Sequence, residues 1–224
     1  MSWELIERIA IIATPIVLAI TLHEAAHGWA AWRLGDSTAR DLGRLSINPL
    51  KHVDPIGTVL VPLLMVIGSR AAGMDLVVFG WAKPVPVNMA ALFNPRRDMA
   101  LVALAGPGAN LLMGIAWALV AGIVVVYDAA MGAAARPLLA MATAGIVTNA
   151  IIMVLNLLPL PPLDGGRVLV SALPLKLARL VARLEPYGLI LVVIALVSGV
   201  LWTVMEPLVR LAIAGMLLVA RLPL

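Results

Sequence analysis

The chain has 224 residues, of which 62% are apolar and only 12% charged, and its mean hydropathy is +1.05. A soluble domain carries about 25% charged residues, so this chain has too little charge to cover a water-facing surface and is too apolar to be disordered. The class that remains is an all-α polytopic membrane protein, read as a single membrane-embedded domain over residues 1–224. There is no cysteine, which excludes disulfides, thiolate-ligated zinc and thiol nucleophiles. The net charge of +4 suits loops held against a bilayer better than it suits nucleic acid, and no nucleic-acid partner is expected.

In chain order, residues 5–34 form a first helix. This is a retained helix rather than a cleaved signal peptide, because it starts behind Glu4 and Glu7 and runs into a polar, helix-compatible motif. Residues 35–55, rich in Gly, Asp, Arg and Asn-Pro, read as a loop. The apolar run 56–68 contains Pro62 and is too short for a full span, so it reads as a re-entrant or half helix. Alternating residues predict a small β-hairpin at about 76–88, with arms at Val77–Phe79 and Val85–Val87 and an edge position forced by its prolines.

The stretches 99–127, 137–163 and 186–205 contain no ionisable residue, and each can cross about 30 Å of hydrocarbon. Residues 208–220 read as a further span in which Arg210 snorkels. Residues 174–185 carry Lys176, Arg179 and Arg183 at helical spacing and read as an amphipathic surface helix. The expectation is therefore about five full transmembrane helices, with a core at about 5–175 and C-terminal helices at about 187–222.

The most informative motif is His23-Glu24-Ala25-Ala26-His27. Residues four apart on a helix share a face one turn apart, so two imidazoles can grip one metal ion while the adjacent Glu reaches a water beside it. Three His and five Glu in random order would give this pattern in roughly one such chain per thousand. Two His and a Glu in an apolar helix are costly without a task.

A catalytic zinc takes three protein ligands, so a third must come from elsewhere. Asp164 is the strongest candidate, in Asn156-Leu157-Leu158-Pro159-Leu160-Pro161-Pro162-Leu163-Asp164-Gly165-Gly166-Arg167. The prolines stop the preceding helix, and Gly165 and Gly166 allow a close approach. Spacing alone leaves open that Asp164 is merely a turn or cap residue.

These motifs resemble the site-2 protease family of intramembrane zinc metalloproteases, in its compact bacterial branch. Ala105-Gly106-Pro107-Gly108-Ala109-Asn110, Gly43-Arg44-Leu45-Ser46-Ile47-Asn48-Pro49 and His52-Val53-Asp54-Pro55-Ile56-Gly57-Thr58 extend the resemblance over about residues 15–175. It implies that His23, His27 and Asp164 hold one zinc ion and that Glu24 is the catalytic base. It places Asn110 and Asn156 near the active site and makes them, with His52, candidates for substrate contact. The substrate implied is a membrane protein or peptide, met within the lipid bilayer. No PDZ-like or nucleotide-sensing domain is expected, since no soluble stretch is long enough.

The site also constrains topology. His23 and His27 lie near the end of one helix and Asp164 follows the end of another, so those ends share a side and an even number of crossings separates residues 34 and 99. With residues 35–98 and 159–185 on one side, 11 of the 16 Lys and Arg fall there, helix-end Arg33 and Arg221 bring that side to 13, and 3 lie opposite. The positive-inside rule then predicts cytoplasmic active-site loops and C-terminus, and an external N-terminus, in a multi-pass protein of the cell membrane. The competing function is a metal-ion transporter or metal-binding membrane protein, which would usually place ionisable groups through the full membrane depth.

Overall fold

A computed structural model describes residues 3–71 and 80–220. The helices are α1 (Trp3–Arg33), α2 (Thr38–Asp41), α3 (Val61–Ala71), α4 (Pro95–Val126), α5 (Asp128–Met131), α6 (Ala135–Leu157), α7 (Asp164–Ala172), α8 (Leu175–Ala182), α9 (Glu185–Val197) and α10 (Val200–Val219). Short tight turns at Pro49–Lys51 and Met89–Ala91 and a wide π turn at Pro55–Leu60 complete the described elements before α4.

Helices α1, α4 and α6 pack against one another, and α10 leans on α6 and α4. Small residues allow this closeness, as expected where helices pack without a hydrophobic force between them. On α1 the buried positions Pro15, Ala19, His23, His27 and Ala31 recur every four residues. On α4 the buried stripe includes Val102, Gly106, Asn110, Gly114 and Ala118. Gly114 makes room for Met216 of α10, whose Sδ would lie 2.4 Å from a Cβ placed there.

Four helices among the described residues are long and apolar enough to cross a membrane: 6–33, 95–126, 128–157 and 200–219. The expected fifth, 186–205, is not one helix: α9 covers 185–197, and a fifth span is reached only when it is joined to α8, which meets it at 61°. The C-terminal boundary also moves. Sequence placed the break at about 205–208, but it falls at Ser198-Gly199, where Gly199 adopts a left-handed φ of 76° that an L residue resists. Glu206 and Arg210 then sit one turn apart inside α10, with Nη2 of Arg210 2.6 Å from Oε1 of Glu206. Each charge thus has a partner within the helix.

The expected half helix at 56–68 is a short element, the π turn running into α3, and α3 packs chiefly on that turn. Asp54 caps it by accepting hydrogen bonds from the N–H groups of Ile56 and Gly57.

The predicted β-hairpin is not seen. Its first arm, 77–79, lies outside the described residues, and the second runs through 80–88 with no strand pairing. Pro84 and Pro86 supply no N–H, and four other N–H groups of the segment are paired elsewhere. Trp81 N–H reaches Gly57 O at 3.1 Å, Lys83 N–H reaches His52 O at 2.9 Å, and Val85 and Asn88 donate to side-chain carboxylates.

One of those carboxylates belongs to Asp36, which is buried just beyond α1 and accepts from Thr38 N–H, Thr38 Oγ1 and Asn88 N–H. Burial pushes its pKa up, but these three donors outweigh it and hold the carboxyl below its ordinary value. A lowered folded-state pKa stabilises the fold above the unfolded value of about 3.9 and is lost as pH falls through the folded one. The stability advantage of the wild type over Asp36→Ala should therefore hold from pH 7 down to about pH 4 and shrink below it, measured by thermal unfolding in detergent.

Candidate metal centre and active site

Three chain segments converge on one point. The last third of α1 carries His23 and His27, α4 runs antiparallel beside it, and the start of α7 brings in Asp164. His23 Nε2 and His27 Nε2 are 3.0 Å apart, and each lies 3.2 Å from Asp164 Oδ2. All three side chains are buried. Their potential ligand atoms lie within 4.8 Å of one another, in the one such His and acid cluster among the described residues.

The other ring nitrogens define what the cluster can do. His27 Nδ1 lies 2.7 Å from the carbonyl oxygen of Val102, and His23 Nδ1 lies 2.6 Å from Oδ1 of Asn110. A carbonyl can only accept, so these Nδ1 atoms carry the protons and both Nε2 atoms present lone pairs. Asp164 Oδ2 is buried and receives no hydrogen bond. Three acceptors thus face one another at about 3 Å. A proton serves one pair of them, whereas a divalent cation serves all three. Two imidazoles and a carboxylate are a donor set that zinc accepts, and outer carbonyl partners of this kind are what usually fix the tautomer of a ligating His.

Glycines open the space. A Cβ at Gly106 would lie 2.4 Å from His27 Nε2 and 2.6 Å from His23 Nε2, inside contact distance. At Gly165 it would lie 2.3 Å from Leu157 O, and at Gly166 2.4 Å from Pro161 N, so the glycine pair lets the first turn of α7 close onto the end of α6. Arg96 holds the far end of α7, donating to the carbonyl oxygens of Ser171 and Leu173.

Glu24 sits on the next position of α1, half-buried, and accepts a 2.8 Å hydrogen bond from Val85 N–H. The segment around it is braced by Arg44, which donates to Lys83 O at 2.9 Å. Because 81, 83 and 85 have committed their N–H groups and 84 and 86 have none, this segment has few donors left for an added substrate strand.

The other candidates are placed differently. Asn110 is fully buried, with Oδ1 on His23 and Nδ2 donating to Ala19 O and Asn149 Oδ1, so its polar atoms are spent on the protein. Asn156 donates to Ile152 O in its own helix at 3.0 Å. His52 is buried in the loop before the π turn, with Nε2 2.8 Å from Ser46 O. Sequence reasoning assigned no site role to Gly106, to the Val102 carbonyl or to Asn149. The AGPGAN motif contained the signal for the first, but a backbone acceptor leaves no mark in a sequence.

Together, the helix set and this cluster define a membrane protein with a buried site fit for a catalytic metal. The comparisons agree. The model of peptidase family M50 matches residues 117–198, a region that includes Asp164. Over 196 residues the chain is 36% identical to the Bacillus subtilis (strain 168) protein named "Putative zinc metalloprotease YwhC", spanning 85% of this chain and 84% of that protein. It is also 30% identical over 189 residues to "Putative zinc metalloprotease Rip2" of Mycolicibacterium smegmatis, spanning 83% of this chain and 66% of that one. No solved structure matches. The chain belongs to peptidase family M50, the site-2 protease family of zinc metalloproteases.

Proposed function

We propose that this zinc metalloprotease hydrolyses peptide bonds in or near transmembrane segments of membrane proteins, with one zinc ion held by His23, His27 and Asp164 and with Glu24 as general base. The observation that carries the reading is the set of three converging lone-pair donors, one of them a buried carboxylate oxygen with no hydrogen bond. When bound, zinc supplies a Lewis acid that makes water acidic near neutral pH.

The chain's own groups supply the rest. Glu24 takes a proton from the attacking water, and the new carbon–oxygen bond forms as that proton moves to its carboxylate. Glu24 then returns the proton to the amine nitrogen as the carbon–nitrogen bond breaks. The Val85 N–H holds the carboxylate in place. A helical substrate hides its carbonyls in its own hydrogen bonds, so it must open locally before water reaches one.

The topology we propose places the zinc-side loops and the C-terminus in the cytoplasm, with 13 of 16 cationic side chains on that side. The short helix at 55–71 does not cross. Since the chain lacks cysteine, single-cysteine variants test this directly. Ala133→Cys should react with a membrane-impermeant maleimide in intact cells, and Lys176→Cys only after lysis. The reverse pattern contradicts the orientation. Transport of a metal ion has no comparable support, because residues 99–127 and 137–163 offer no ionisable group to carry an ion through the core.

A further inference from the structure

We propose that Asn149 of α6 is a positioning residue for the metal site, acting through Asn110 to hold His23 in the tautomer that leaves its Nε2 lone pair for zinc. This rests on the reading of His23 as a ligand. Asn149 and Asn110 are fully buried and His23 nearly so, and the three form one chain of hydrogen bonds. Its direction follows from the far end. Gly145 O can only accept, so Asn149 must point its Nδ2 there, at 2.8 Å. Its Oδ1 then faces Asn110, and it accepts from Asn110 Nδ2 at 2.9 Å. Asn110 is thereby left with Oδ1 towards His23, and Nδ1 of His23 must be the donor at 2.6 Å. The Ala19 carbonyl, 3.3 Å from Asn110 Nδ2, favours the same orientation more weakly.

An amide that served only to satisfy itself within a membrane helix would turn to its own helix, as Asn156 does with Ile152 O. Asn149 does this with its nitrogen but spends its oxygen on another helix. Three polar groups buried together are costly unless every one is paired, and here the pairing ends on a ligand of the proposed metal.

The test uses the full chain purified in detergent, with zinc affinity read by competition against a chromophoric chelator. Asn149→Leu keeps similar volume and removes the acceptor, and is expected to weaken zinc binding about 10-fold. In an Asn110→Ala background the same substitution should change affinity by less than about twofold, because its route to His23 is gone. Wild-type affinity in Asn149→Leu, or an undiminished loss in the double variant, overturns the proposal. If Asn149→Leu does not fold, the wild type suffices. NMR of zinc-loaded, 15N-histidine-labelled protein should show His23 protonated at Nδ1 and metal-bound at Nε2, and the opposite tautomer overturns the proposal. Failure of the underlying site reading looks different: His23→Ala would then bind zinc as tightly as the wild type.

Discussion

Glu24→Gln is expected to lower peptide-bond hydrolysis by about 10²–10⁴-fold while zinc stays bound. Glutamine keeps the shape of the side chain, and its amide oxygen still accepts from Val85 N–H, so the local fold loses nothing it depends on. What disappears is a carboxylate able to take and return a proton. None of the three proposed ligands is touched, so metal content should remain at the wild-type level. Detergent-purified variant and wild type, assayed on a single-span membrane substrate and analysed for zinc, separate the two effects. Equal cleavage by the variant would remove Glu24 from the mechanism, and loss of zinc would make it a ligand or a structural residue.

Gly106→Ala is expected to weaken zinc binding at least about 10-fold and to reduce cleavage with it. By helix propensity alone the change should help, since glycine inside a helix costs roughly 1 kcal/mol relative to alanine. Here the added methyl would sit 2.4 Å from His27 Nε2 and 2.6 Å from His23 Nε2, where the ligand atoms face each other. Those rings cannot step aside without giving up Val102 O and Asn110 Oδ1. Gly108→Ala is the control, because nothing lies within 4 Å of a Cβ there. Zinc affinity and melting temperature measured on both variants decide the matter. If Gly106→Ala bound zinc like the wild type, the close packing of α4 on the histidines would be wrong.

The parts of this protein that were legible in its sequence are those carried by local periodicity. Two His four apart had to share a helix face, and the long uncharged runs at 99–127 and 137–163 had to be built on helices of membrane length. Asp164 was the strongest candidate for a third ligand on its setting among prolines and glycines, but spacing left a cap or turn role open, and only the family resemblance decided between them. It is the first residue of α7, whose N-cap position is Leu163 with no side-chain cap hydrogen bond, and its carboxylate faces the two histidines instead.

Two of the misreadings share a cause: local patterns say nothing about distant partners. The alternation at 85–87 resembled a strand, but the N–H groups there were claimed by Glu24 and Asp36 on or beside α1. The break between the last helices is a local misreading: it was put at about 205–208, in the gap between two apolar runs, whereas Glu206 there pairs with Arg210 within α10, and the true break is Gly199. Asn149 was given no site role because the one proposed for it depends on which way Asn110 points.

Whether one zinc ion sits on His23, His27 and Asp164 can be read from zinc X-ray absorption on the metal-replete, detergent-purified chain. The expected result is one zinc per chain, a first shell of nitrogen and oxygen at about 2.0–2.2 Å with the multiple scattering of two imidazoles, and loss of one imidazole's contribution in His27→Ala. A shell with fewer than two imidazoles in the wild type, or an unchanged spectrum in His27→Ala, would contradict it.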